Sequence, residues 1–140
     1  MKESEKALIG SAFHILQHEL FINSQAHGFH AREDREYFIR KDTVDSDGIT
    51  RYEKVDLTPE FKAVRVALAH SELSEVLEGL RKNKQDEHIP EFTSEEIEYA
   101  DCLIRILEYA EHRNLRLFEA VMAKHEYNIS REMMHGGKKF

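Results

Sequence analysis

Apolar residues recur at helical spacing through most of this chain, and the pattern predicts four helices separated by polar connections. The first spans about Glu5 to Ala26, where Ala7, Leu8, Ala12, Phe13, Ile15, Leu16 and Leu20 form a wide apolar face. It exits at "HGFH" (His27 to His30), with Gly28 as the breaker. The second opens with Thr58 as N-cap, Pro59 in its first turn and Glu60 favourable to the helix dipole, and runs to about Lys82. Thr93 and Glu96 form a capping box for the third, which ends near His112. Asn114 caps a fourth, from Leu115 to about Glu132, stopping before Gly136-Gly137. Short connections between the later helices predict an all-α fold, an antiparallel four-helix bundle in one domain over residues 1–140.

Two stretches stand outside that pattern. Residues 31–57 are a polar, irregular insertion after the first helix, in which Asp47-Gly48 can turn a short hairpin. A calcium loop does not fit there, because Gly48 as the turn glycine places Thr43 and Lys54 at the first and last ligand positions. Residues 133–140, ending in "HGGKKF", form a basic tail.

The second helix carries an anomaly. With Glu72 at the origin of a helical wheel, Val76, Ala69, Leu80, Leu73, Val66 and Leu77 lie between roughly 40° and 140°, and Phe61 and Leu68 lie on the other side at roughly 340° and 320°. Glu72 thus stands within the apolar arc, and Glu75 lies at its edge. The third helix is apolar around most of its circumference and leaves a narrow polar strip of Glu98, Asp101, Arg105 and Glu108.

Composition narrows the setting without explaining the acids. The chain has 140 residues, 41% hydrophobic and 34% charged, which describes one globular domain with a highly charged surface. Its net charge of −7 argues against nucleic acid and anionic membranes as partners, and no apolar run is long enough to span a bilayer. A single cysteine, Cys102, and an N-terminus that enters amphipathic sequence directly predict a cytoplasmic protein without a signal peptide. Cys102 falls on the apolar side of the third helix and reads as core.

Glu72 and Glu75 are i,i+3 neighbours, as are Glu98 and Asp101. If their helices run antiparallel side by side, the four carboxylates converge, and in a partly desolvated space they repel one another. A hard divalent cation removes that cost. All-oxygen ligation suits magnesium, with manganese as a substitute, better than zinc.

The blocks "ELSE" (Glu72 to Glu75) and "EYAD" (Glu98 to Asp101), separated by the 22 residues 76–97, resemble the ExxE…ExxD signature of MazG-like nucleotide pyrophosphohydrolases. That family belongs to the all-α NTP pyrophosphatase superfamily. "SELSEVLEGLRK", "EYADCLIRILEYA", "AKHEYNISREMMHGGKKF" and "NSQAHGFH" extend the similarity over most of residues 12–30 and 60–140. The resemblance implies magnesium-dependent hydrolysis of a nucleoside triphosphate to the monophosphate and pyrophosphate, in a homodimer or tetramer. It implies Glu72, Glu75, Glu98 and Asp101 as metal-holding and catalytic residues. Lys124, Asn128 and Arg131 match the family's fourth-helix positions, share one face at i, i+4 and i+7, and would address phosphates and sugar. Lys138 would close over the phosphate tail, while His27, His30 and Phe29 would lie near the base, with Asn23 a weaker candidate. Without the resemblance, the fourth helix reads as a basic solvated face. The chain departs from the family pattern in the length of residues 31–57 and in Ser130-Arg131-Glu132, where a Thr-Arg-Pro turn is more usual.

Other chemistry is weaker. His14 and His18 have chelating i,i+4 spacing but lack the glutamate of a zinc-protease motif, and read as structural. A di-iron bundle needs two Glu-x-x-His motifs, and only "EMMH" (Glu132 to His135) is present. The competing hypothesis is non-catalytic: a helical module that binds a nucleotide or another protein.

Overall fold

A computed structural model describes side chains over residues 1–31 and 57–131, and backbone alone for the two strands between them. Four helices form a bundle: α1 (Glu3–Ala26), α2 (Thr58–Lys82), α3 (Ser94–His112) and α4 (Leu117–Ile129). Between α1 and α2, β1 (Tyr37–Val44) pairs antiparallel with β2 (Thr50–Val55), so the expected hairpin is present. Its Asp47-Gly48 turn and the tail 133–140 lie outside the described residues.

The helix ends show which local signals act. Thr93 caps α3 as predicted: its hydroxyl accepts the Glu96 N–H at 3.2 Å, and the Glu96 carboxylate accepts the Thr93 N–H at 2.8 Å. Thr58 is already helical and Leu57 takes the cap position, with proline in the first turn. Asn114 does not cap α4. It adopts φ 51°, the left-handed region that asparagine tolerates, and so terminates α3 instead, while Arg116 precedes α4. At the other end α4 stops at Ile129 with Ser130 as its C-cap, so Arg131 falls just beyond the helix.

Contacts along the helices fix their directions. Gly79 lies against Glu95, Glu72 pairs with Arg105, and Arg65 pairs with Glu108, so α2 and α3 are antiparallel. Gln17 donates to Glu111 across the α1–α3 interface, while Lys6 pairs with Glu126 and Phe13 packs on Phe118 across the α1–α4 interface. Both α3 and α4 therefore run opposite to α1. The fourth helix prolongs α3 along the N-terminal half of α1 and does not lie beside α2 as an ordinary four-helix bundle would have it.

The seams are built from small and polar residues. On α1 the buried positions are Gly10, Gln17 and Ser24, and on α2 they are Arg65, Glu72, Val76 and Gly79. Glycine is needed where helices touch most closely: a Cβ on Gly79 would lie 3.0 Å from the Glu95 nitrogen, and one on Gly10 would lie 2.8 Å from the Phe118 ring. Val76, Cys102, Leu107, Ala110 and Phe118 form the apolar core. Much of the apolar face predicted for α1 and α2 is instead outward, with Leu8 72%, Ile15 64% and Leu77 63% exposed.

Arg65 anchors a buried polar knot. Its guanidinium lies 3.6 Å from the Glu108 carboxylate and donates to the Phe29 carbonyl at 2.5 Å and to His30 Nδ1 at 3.2 Å. His30 is 1% exposed and stacks on His112 at 4.6 Å, which ties the exit of α1 to both α2 and α3. Replacing Glu108 by alanine leaves the Arg65 charge buried with this ionic partner removed, and should lower unfolding free energy by roughly 3–5 kcal/mol. Urea denaturation measures this, and a loss below about 1 kcal/mol would show that the pair is solvated.

Candidate metal centre

Antiparallel packing of α2 and α3 sets Glu72 opposite the first turns of α3, where Glu98 and Asp101 are neighbours. Each of the three acids offers a carboxylate oxygen, and these oxygens lie within 4.8 Å of one another. Among the described residues this is the one group of three or more potential metal donors at such range. Glu75 is exposed and stands outside the trio, because it lies one helical turn from Glu72 on the solvent side of the seam.

Crowding disfavours ionisation of Glu98 and Asp101. Burial, then Asp101, Glu72, Glu75 and Asp86, raise the pKa of Glu98. Burial and Glu72 raise that of Asp101, and Arg105 opposes them. Asp86 contributes charge from the α2–α3 loop, where its carboxylate accepts the His88 and Ile89 N–H groups at 2.8 Å each and is held below its ordinary pKa. Such a set of hard oxygen donors, costly to ionise together, has the chemistry that a small divalent cation relieves. Arg105 Nε donates to Glu72 and supplies one positive charge at the edge of the trio.

A cavity of about 320 Å³ opens beside Asp101. Leu20, Asn23, Ser24, His27 and Phe29 form its α1 wall, and Asp101, Ile104, Arg105 and Glu108 form its α3 wall. His27 and Phe29 thus face the same cavity as one member of the trio, and His27 Nδ1 donates to the Asn23 carbonyl at 2.8 Å. His30 does not reach the cavity, since it is buried against Arg65 and His112. Ser24 is 6% exposed, and its hydroxyl has no hydrogen-bond partner among the described residues.

The basic residues of α4 are elsewhere. Lys6 and Glu126 meet at 3.1 Å near the start of α1, some 18 residues or ~27 Å of helix from Ser24. Lys124 and Arg131 instead flank the Tyr127 ring, at 4.7 and 5.9 Å from its centroid, and Asn128 is exposed beside them. Lys138 lies outside the described residues. His14 and His18 approach Glu119 at 4.0 Å and Glu111 at 3.1 Å and serve the α1 interfaces, while Cys102 is buried with its thiol donating to the Ala69 carbonyl at 3.4 Å.

Sequence reasoning missed Ser24, Asp86 and the pairing of Arg105. Only Arg105 left a signal, as the i+4 neighbour of Asp101 in the polar strip of the third helix. No protein-family model matches the chain, nor does any curated protein or solved structure. No helix among the described residues is long and apolar enough to cross a membrane.

The raised acids fix the sign of a pH effect. The folded chain holds the Glu98 and Asp101 protons more firmly than the unfolded chain, so their contribution to metal-free stability falls as pH rises from the ordinary carboxylate range through their raised values. Millimolar magnesium should raise the melting temperature at neutral pH, with the gain fading as pH drops and protons displace the ion. Asp101→Asn should raise the metal-free melting temperature by about 2–4 °C and remove the magnesium response. Calorimetry at several pH values checks both, and a wild-type melting temperature indifferent to magnesium at neutral pH would leave the acids without a cation.

Proposed function

We propose that the chain is a magnesium-dependent nucleoside triphosphate pyrophosphohydrolase, which uses water to cleave the α–β anhydride of a (d)NTP and releases (d)NMP and pyrophosphate. Manganese is a substitute metal, and housekeeping of nucleotide pools is the role such a reaction serves. One observation carries the reading: Glu72, Glu98 and Asp101 converge within 4.8 Å, and Asp101 also walls a cavity of about 320 Å³. The resemblance of "ELSE" and "EYAD" to the MazG-like signature supports the same chemistry.

Glu72, Glu98 and Asp101 hold the cation, which when bound neutralises phosphate charge and polarises the phosphorus under attack. Glu75, exposed and outside the trio, is the carboxylate available to orient the attacking water. His27 and Phe29 receive the base, Phe29 offering a ring that is 56% exposed for stacking. Lys124, Asn128, Arg131 and Lys138 address the phosphates. Since α4 lies at the far end of α1 within one chain, Lys124, Asn128 and Arg131 reach the site from a second copy. The outward apolar side chains of α1, α2 and α4, including Leu8, Leu77 and Ile129, support a homodimer or tetramer.

A second reading, a helical module that binds a nucleotide or another protein without turnover, draws on the Arg105–Glu72 pair, because Glu72 already has a counter-ion. Incubation with each NTP and dNTP plus magnesium separates the two. Monophosphate and pyrophosphate should appear in equal amounts, and Glu98→Ala or Asp101→Ala should slow release by about 100-fold or more. No turnover with any nucleotide would favour the binding module. Gel filtration should give a species well above the 16.4 kDa of one chain, and a monomer at high concentration would exclude phosphate contacts from a second copy.

A further inference from the structure

We propose that Arg105 is a two-position side chain. It pairs with Glu72 when no divalent cation is bound, and turns into the α1–α3 cavity when one is, there to grip an anionic group of the ligand. The inference rests on the acidic trio as a cation site and adds to it an order of events and a named anion contact.

Three observations carry it. Glu72 is only 9% exposed, so its charge requires a close positive partner, and Arg105 Nε provides one. The same carboxylate belongs to the trio, so a cation seated there and the Arg105 guanidinium compete for it. Arg105 also lines two cavities, one on each side of α3, which gives the displaced guanidinium room. The cavity toward α2 is walled by Val66, Leu73, Cys102 and Tyr109 and offers a guanidinium almost no polar surface. The cavity toward α1 is walled in part by Asn23 and His27, which give it polar surface. Arginine, with its planar fork of donors, suits a phosphate oxygen pair at the same place.

Nitrogen-15 NMR of the full chain tests this, with the Arg105 Nε–H resonance assigned by its loss in Arg105→Lys. Backbone amides of Glu98 and Asp101 report arrival of the ion independently. As magnesium saturates those amides, the Nε–H signal should leave its ion-paired position and exchange faster with solvent. Adding inorganic pyrophosphate should return a slowly exchanging signal at a new position. In an electron paramagnetic resonance titration, Arg105→Met should bind manganese about tenfold more tightly than wild type, and Arg105→Lys should return affinity toward wild type. Amides that report bound magnesium beside an unmoved Nε–H signal overturn the switch, as does manganese affinity unchanged in Arg105→Met. A signal that stays solvent-like with pyrophosphate overturns the anion contact. Absence of any metal response in wild type and Arg105→Met alike overturns the cation site itself, and the switch with it.

Discussion

A carboxylate buried between two helices must have a positive partner, and in this chain that requirement sets how α2 meets α3. Glu72 takes Arg105 and Arg65 takes Glu108, so each helix contributes one acid and one base to the seam. Sliding either helix by one turn would part both pairs and leave the buried Arg65 and Glu108 charges without each other, at a cost of several kcal/mol. Gly79 reinforces the same register from the other end, since only a residue without Cβ lets the start of α3 come so near. Charge pairing and close approach thus select one alignment in a seam where Val76, Leu107 and Cys102 alone would tolerate several.

That alignment also places the site. Once Glu72 faces Arg105, the residues one and two turns earlier on α3 are Asp101 and Glu98, and the trio follows from helix geometry alone. The capping box at Thr93 and Glu96 fixes where α3 begins, so the acids cannot drift along the helix axis. The Arg65 knot then draws the exit of α1 inward through the Phe29 carbonyl and His30, closing the second wall of the cavity. The polar seam and the candidate centre are parts of one arrangement.

The local parts of this were readable in the sequence. Capping boxes, i,i+3 acid pairs and a hairpin between polar flanks depend on residues near one another, and Thr93, Glu98 and Asp101 stand as those rules expect. What could not be read was which neighbour covers each face. Periodicity reports that apolar faces such as those holding Leu8 and Ile15 on α1 and Leu77 on α2 favour leaving water, but not whether their own chain or another copy will cover them. The most deeply buried positions of α1, Gly10, Gln17 and Ser24, carry no hydrophobic signal, although Phe13 and Phe21 beside them pack inward. Asn114 had two good roles, N-cap and left-handed terminator, and only the path of the chain after His112 decides between them. Lys124 and Asn128 share a helix face as expected, yet a face says nothing about where along α1 its helix will lie.

Electrostatics sets the order in which the proposed site can fill. A chain of net charge −7 repels a polyphosphate at long range, although salt screens that repulsion beyond roughly 8 Å. Close to the cavity the field is worse, because Asp101, Glu98, Glu72 and Asp86 stand together. While Arg105 is held by Glu72, its charge is spent on that carboxylate and little remains to offset the others. An anion arriving first would meet a negative mouth. A divalent ion arriving first cancels two charges in the trio and frees the guanidinium, so one binding event both weakens the negative field and makes a cation available to the anion. On this reading the acids do more than supply ligands: their mutual repulsion makes the cation a precondition for the anion.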